Sequence, residues 1–196
     1  TMPAITGGIG VCHTYVDKDA DMDKAVEIVH NAKTQRPSVC NALDTILVHA
    51  SVANTFLPQT AARLWPDGVQ LRGDRRTLTV LEPVAQQSGS PELLQFANDQ
   101  DFDTEFLGLR AAVRIVDSFD DAIGHIGEHG SNHSEAIVSE NTATCDRFLM
   151  EVDASAVFAN SSTRFNDGAM FGLGAEVAIS TDKLQAYGPM GLKEIT

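Results

Sequence analysis

The 196-residue chain reads as an α/β protein, a largely parallel sheet flanked by helices. Three observations predict this. Short apolar runs rich in β-branched residues recur at 11–16, 44–49, 113–116, 136–139 and 156–159. Between most of them lie segments whose apolar residues return at helical spacing. The composition, 43% hydrophobic and 21% charged, is that of a globular protein that buries a core without disulfide staples. Strands alternating with helices in this way build parallel sheets covered on their faces.

Taken in order, Gly7, Gly8 and Gly10 lead into the first strand. They precede a strand instead of following one and opening a helix, so they read as a flexible lead-in and not as a phosphate loop. Asp17, Asp19 and Asp21 suit the start of a helix. Met22, Ala25, Val26, Val29 and Ala32 share one face of it, and Pro37 ends it near Gln35. Residues 44–49 form a buried strand. A helix over 52–64 is expected to be interrupted at Pro58. A turn at 66–68, a short strand at 69–72, a short helix at 74–81 and a mobile surface loop at 86–90 follow. After an acidic and aromatic stretch at 99–109 come a strand at 113–116 and a helix at 118–128 capped by Gly130. A strand at 136–139 precedes a helix at 141–152 with Cys145, Phe148, Leu149 and Val152 on its apolar side. A buried strand at 156–159 ends in the polar turn 160–164, a strand end of the kind where α/β proteins build sites. The glycine-rich remainder reads as irregular, with a short strand within 176–180.

Function classes narrow next. A net charge of −13 argues against a non-specific nucleic-acid binder, which needs a basic stripe. No apolar run reaches membrane-spanning length, and no signal pattern opens the chain. The start, Thr1-Met2-Pro3-Ala4-Ile5, does not look like a natural initiation site, so a domain cut from a longer chain is expected. The three cysteines, Cys12, Cys40 and Cys145, are odd in number and widely spaced, and the six histidines show no His-x-x-x-His pair. These features indicate a reducing, cytoplasmic setting and no metal site.

The stretch at 31–42 carries the chemistry. Pro37 stops a helix, and the chain then presents Cys40 among small and polar residues. Lys33 and Arg36 are cations able to favour a thiolate. The helix C-terminus gives a thiolate no help, so activation falls to those cations or to the amides of Asn41 and Ala42. The residues alone leave three readings. Cys40 is the nucleophile of a cofactor-dependent enzyme, or that of a stand-alone thiol hydrolase paired with His13, His49 or His133. The third reading is a non-catalytic module in which Cys40 is a small buried hydrophobe.

Asn31-Ala32-Lys33-Thr34-Gln35-Arg36-Pro37-Ser38-Val39-Cys40-Asn41 resembles the active-site segment of the γ-glutamyl phosphate reductases (glutamate-5-semialdehyde dehydrogenases), a branch of the aldehyde dehydrogenase superfamily. The resemblance recurs at Gly10-Val11-Cys12-His13-Thr14-Tyr15-Val16-Asp17, at Asn160-Ser161-Ser162-Thr163-Arg164-Phe165 and at Phe171-Gly172-Leu173-Gly174-Ala175-Glu176. It covers essentially the whole chain. It implies an aldehyde dehydrogenase-like catalytic domain over 1–180 and a tail, 181–196, leading to the cofactor and oligomerisation region. Cys40 matches the nucleophile that attacks γ-glutamyl phosphate and expels phosphate. NADPH then reduces the thioester to glutamate 5-semialdehyde, a step of proline biosynthesis. Glu105 and Phe106 resemble the superfamily's Glu-x-Phe cofactor segment, although the order here is Glu-Phe-Leu. Arg164 is the first choice for a clamp on the substrate's anionic groups and Arg36 the second. Asn160 and Asn41 complete the implied substrate site, and His133, in the loop sequence Gly130-Ser131-Asn132-His133, is a further substrate-site candidate by the site-like composition around it. The superfamily's dinucleotide-binding half precedes the cysteine segment and is not among these residues. The implied partners are that domain, a glutamate 5-kinase and further copies in a homo-oligomer. The fragment alone is expected to lack reductase activity and to bind NADPH weakly at best.

Overall fold

A computed structural model describes residues 8–183 and 186–195. Gly7, the segment at 1–5 and parts of the expected tail therefore lie outside the described residues. The elements run β1 (Cys12–Val16), α1 (Met22–Thr34), β2 (Leu43–His49), α2 (Ala50–Leu64), β3 (Gln70–Gly73), α3 (Arg75–Ser88), β4 (Leu94–Phe96) and β5 (Arg110–Val116). They continue with α4 (Phe119–His129), β6 (Ser134–Val138), α5 (Thr142–Glu151), β7 (Ala156–Ala159), β8 (Ala178–Ser180), β9 (Gly188–Met190) and α6 (Leu192–Ile195). The first seven strands form one sheet in the order β4-β3-β5-β2-β1-β6-β7. Every neighbouring pair in it is parallel. The predicted fold class is therefore the observed one, and the sheet is wholly parallel.

Successive side chains of the strands point to opposite faces and so feed two cores. On one face Ile46, Val48, Leu71, Val113 and Val16 pack with residues of α1, α2 and α3. On the other, Tyr15, Leu47 and Ile137 pack with Ala122 and Ile126 of α4 and Phe148 of α5. Asp21, Asp74, Ser118 and Asn141 cap their helices by accepting a first-turn amide.

Several expectations need correction. α2 runs unbroken through Pro58. Asn54, whose carbonyl loses its partner there, lies on the exposed side, where water replaces the missing amide. α3 extends to Ser88, well past the short helix expected at 74–81, because Leu81 and Ala85 prolong its buried stripe. Most of the loop expected at 86–90 is thus the last helical turn, ended by Gly89 at φ +73°. Gly130 ends α4 in an extended conformation, not a left-handed one. Leu149 is exposed. β7 is half-buried throughout, since as an edge strand it has only β6 beside it. In the glycine-rich remainder β8 pairs antiparallel with β9, a partner the sequence did not reveal.

The sheet also decides which of its edges is available. At the carboxyl ends of β1, β6 and β7 the polar groups satisfy one another. Ser139 Oγ donates to Asp17 Oδ2 at 2.7 Å. The Ser139 amide donates to Asn160 Oδ1 at 3.0 Å, and Asn160 Nδ2 returns a bond to the Ser139 carbonyl at 2.9 Å. Asn160 takes a left-handed conformation, φ +52°, which its side chain tolerates better than most. The chain then doubles back, and a short 3-10 turn at Thr163–Phe165 packs against α1, β1 and β6. This carries residues 163–166 to the amino edge of the sheet, where Cys40 stands.

Candidate active site

Four segments meet at that amino edge: Gly10 before β1, Cys40–Asn41 before β2, Glu105–Phe106 before β5 and His133 before β6. Gly10 lies so close to the Cys40 backbone that an added Cβ would overlap the Cys40 carbonyl oxygen and come within 2.8 Å of its carbon. This is the close approach for which glycine is needed. The Cys12 thiol donates to the same carbonyl at 3.2 Å. The Ala42 amide donates to the Val39 carbonyl at 2.9 Å and closes a turn around Cys40. Asn41 is buried. Its Nδ2 donates to the Asn166 carbonyl at 2.8 Å, its carbonyl accepts from Thr163 Oγ1 at 2.7 Å, and its Oδ1 accepts from Arg164 Nη1.

Cys40 is a free, half-buried thiol. Burial pushes its pKa up, the nearby Glu105 and Glu176 carboxylates push it further, and its own amide and the Arg164 guanidinium oppose them. The thiol is therefore protonated at neutral pH. Its alkylation by iodoacetamide should accelerate about tenfold per pH unit from pH 7 upward, with a midpoint above that of a free cysteine peptide. Peptide-level mass spectrometry across a pH series checks this, and a midpoint below the free-peptide value would contradict it. Lys33 does not serve the thiol. Its side chain is fully buried, and Nζ donates to the Arg110 carbonyl at 2.8 Å and sits 3.7 Å from Asp44 Oδ1. Arg36 is exposed, and its charge disfavours that of Arg164.

The expected cofactor pair divides. The Glu105 carboxylate, whose charge the Gly10 amide favours, bears on the Cys40 thiol. Phe106 faces the fold instead. Its amide donates to Asp44 Oδ1 at 3.0 Å, and its ring packs beside Phe102 with the Arg72 guanidinium 5.7 Å above it. The ring is part-buried, with Arg72 over one face. Asn160 holds Ser139 with both functions of its amide and also borders the cavity that Arg164 lines.

His133 is fully buried, with Nδ1 2.8 Å from Ser134 Oγ and 3.7 Å from the Cys12 sulfur. Burial lowers its pKa to about 4, so it is neutral within the core. The other two histidines considered for a hydrolase are also held elsewhere. His13 pairs with Glu135 at 3.0 Å, and His49 caps α2 with its Nδ1 2.8 Å from Ser51 Oγ.

Arg164 is the part-buried cation of the site. Nε donates to Gln35 Oε1 at 3.1 Å and Nη1 donates to Asn41 Oδ1, both neutral acceptors. It also lines a cavity of about 390 Å³ that runs along α1 past Ile28, Asn31 and Gln35 and is bounded opposite by Ser162, Phe165 and Asp167. Cys40 is not on that wall. Arg164 links the two places, since it lines the cavity and its charge acts on the thiol. The sequence reading missed the roles of Gly10, Gln35, Glu176 and Asp44. Of these only Asp44 left a signal, as an acid inside an apolar strand.

No protein-family model matches the chain. A γ-glutamyl phosphate reductase from Dehalococcoides mccartyi is 53% identical over 195 residues, covering 100% of this chain and 45% of that protein. The chain is similar to the γ-glutamyl phosphate reductases along its whole length. The crystal structure of a γ-glutamyl phosphate reductase from Thermotoga maritima matches with a TM-score of 0.91 at 42% identity, over 100% of this chain and 45% of that one. The chain thus spans about half the length of the relatives it matches. An acetylating aldehyde dehydrogenase from Geobacillus thermoglucosidasius shares the fold, with a TM-score of 0.64 at 17% identity over 86% of this chain and 44% of that one.

Proposed function

We propose that this chain is the thiol-bearing part of a γ-glutamyl phosphate reductase in which Cys40 is the nucleophile. The observation that carries this reading is the Arg164 guanidinium. It is part-buried, bonded only to neutral oxygens among the described residues, and close enough to favour the Cys40 thiolate. Asp167 and Glu176 favour its charge from nearby but take no hydrogen bond from it, and a guanidinium held this way beside a thiol fits a substrate with a phosphate and a carboxylate.

The Cys40 sulfur attacks the acyl carbon of γ-glutamyl phosphate, the carbon–oxygen bond to phosphate breaks, and a thioester forms on Cys40. The departing phosphate is basic enough to take the thiol proton. The Cys40 amide donates to the acyl oxygen as charge develops there. Arg164 holds the substrate's anionic groups, and Asn41 fixes the guanidinium. Exposed Arg36 supplies a second positive charge at the mouth. NADPH, when bound, supplies the hydride that reduces the thioester. Collapse of the resulting thiohemiacetal breaks the carbon–sulfur bond, frees glutamate 5-semialdehyde and returns Cys40. The part-exposed Glu105 carboxylate fits the ribose hydroxyls of that cofactor.

The same reading assigns 1–180 to the thiol-bearing domain and 181–196 to a tail leading towards the cofactor and oligomerisation region. It places the cofactor domain elsewhere in the parent enzyme, a homo-oligomer, with a glutamate 5-kinase supplying the acyl phosphate in the cytoplasm. The free state of all three cysteines suits that compartment. Reductase turnover by this chain alone, with NADP⁺, phosphate and the semialdehyde, is expected to be absent.

Acylation needs no cofactor and gives the direct test. The chain is mixed with γ-glutamyl phosphate generated in situ, or with acetyl phosphate as a stand-in, and digested for mass spectrometry. The expected result is one acyl group on the Cys40 peptide with release of phosphate. No adduct, or equal modification of Cys12 and Cys145, would indicate an inert module. Steady ester hydrolysis without an adduct would indicate a hydrolase.

A further inference from the structure

The buried pair beneath the site is not used by the chemistry above. Lys33 and Asp44 are 0% and 2% exposed. Asp44 occupies an irregularity in the sheet. Cys12 pairs with Leu43 but His13 pairs with Thr45, so Asp44 is the extra residue of a bulge between β1 and β2. A bulge re-aims a side chain that would otherwise follow the strand's alternation.

The Asp44 carboxylate accepts the Phe106 amide at 3.0 Å, and the Cys12 amide also favours its charged form. Lys33 lies 3.7 Å from it and donates to the Arg110 carbonyl at 2.8 Å. The pair thereby ties together the helix that leads to Cys40, the lead-in to β1 and the segment from Glu105 to Arg110. Burial pushes Asp44 up to about 6 and Lys33 down, so the cost of holding the pair is real. Each tied segment bears on Cys40. Glu105 immediately precedes the anchored Phe106 amide and acts on the thiol, the Gly10 amide favours the Glu105 charge, and Cys12 donates to the Cys40 carbonyl.

We propose that the Lys33–Asp44 pair is a positioning element for the thiol. Asp44, by gripping the Phe106 amide, fixes the Glu105 carboxylate beside Cys40. It rests on the reading of Cys40 as the reactive thiol, but its test does not collapse into that one. The groups facing Cys40 are Glu105, Glu176 and Arg164. Releasing Glu105 removes one of the two carboxylates that raise the thiol's pKa, so the alkylation midpoint should fall.

The experiment measures the pH dependence of iodoacetamide labelling at Cys40 in the 196-residue chain. Replacing a buried pair by apolar residues of similar size tends to preserve folding, so the main variant is Lys33→Met with Asp44→Leu. Its midpoint should fall by about half a pH unit, roughly threefold more thiolate at pH 7, matching Glu105→Gln. Adding Glu105→Gln to the pair variant should lower it no further. Asp44→Asn keeps an acceptor for the Phe106 amide and should retain most of the original midpoint.

An unchanged midpoint in a folded pair variant would overturn the proposal. So would an undiminished shift in the Glu105→Gln background. Amide exchange supplies a readout that needs no variant. The Phe106 amide should exchange as slowly as core strand amides, and fast exchange would overturn the grip. If Cys40 of the unmodified chain reacted no faster than Cys12 and Cys145, the proposed function would fail instead.

Discussion

A Gly10→Ala chain should unfold at clearly lower urea and should lose the ordered Cys40 turn. The added methyl would overlap the Cys40 carbonyl oxygen, a backbone atom that no rotamer change can move aside. Either the lead-in to β1 or the Cys40 turn must shift. Forcing extra volume into so tight a contact costs about 3 kcal/mol. The shift also breaks the Cys12 bond to the Cys40 carbonyl and moves the Gly10 amide relative to the Glu105 carboxylate whose charge it favours. Urea unfolding followed by fluorescence reads the first effect. Iodoacetamide labelling, faster and closer to that of a free cysteine, reads the second. Wild-type values for both would mean that the approach of Gly10 to Cys40 is not a constraint on the fold.

Arg164→Ala should separate acylation from simple thiol reactivity. Loss of the guanidinium raises the Cys40 pKa, because Arg164 is among the groups that lower it. Labelling by neutral iodoacetamide at pH 7 should therefore fall only a few-fold, about threefold for a half-unit rise. Acylation by an anionic acyl phosphate also loses its charge partner. It should fall about 100-fold, the scale of removing one preorganised donor from a developing charge. Arg164→Lys keeps a cation but not the fork that spans Gln35 and Asn41, and should fall between. Equal losses in both reactions would reduce Arg164 to a modulator of the thiol.

Much of the fold was legible in order along the chain. The β-branched runs at 44–49 and 136–139 became central strands, and the apolar face from Met22 to Ala32 became a helix ended before Pro37. Where the reading failed, tertiary packing outweighed a local rule. Pro58 costs one hydrogen bond, but the buried face of its helix, with Phe56, Leu57, Ala61 and Leu64, is enough to carry it through. The stripe at Leu81 and Ala85 extends α3 past the point where its sequence turns polar. Leu149 shows the converse, an apolar residue at helical spacing that the sheet does not cover.

The candidate site was legible as residue types and much less so as contacts. Glu105 and Arg164 do come within electrostatic reach of Cys40. Lys33 was expected to help the thiol because it is seven positions away. In three dimensions the helix turns it inward to Asp44. His133 was placed in a loop by its glycine, serine and asparagine neighbours, yet it is buried against Cys12 and Ser134. Asn160 was placed at a strand end, and it is, with its amide tied to Ser139 while the residue borders the cavity that Arg164 lines.

The sequence by itself determined the parallel α/β architecture, the presentation of Cys40 after a proline-stopped helix, and the likeness to the γ-glutamyl phosphate reductases. Those properties reside in periodicity, in proline stereochemistry and in long matching segments, all of which are local in the chain. Only the tertiary structure decided that the site lies at the amino edge of the sheet. It alone paired Lys33 with Asp44, turned Phe106 inward and set Glu105, Glu176 and Arg164 around one thiol. Those outcomes depend on which segments meet across long separations in the chain, 62 positions for the bond from Phe106 to Asp44 and 129 for that from Arg164 to Gln35. The burial and charge that tune Cys40 arise only at such meetings.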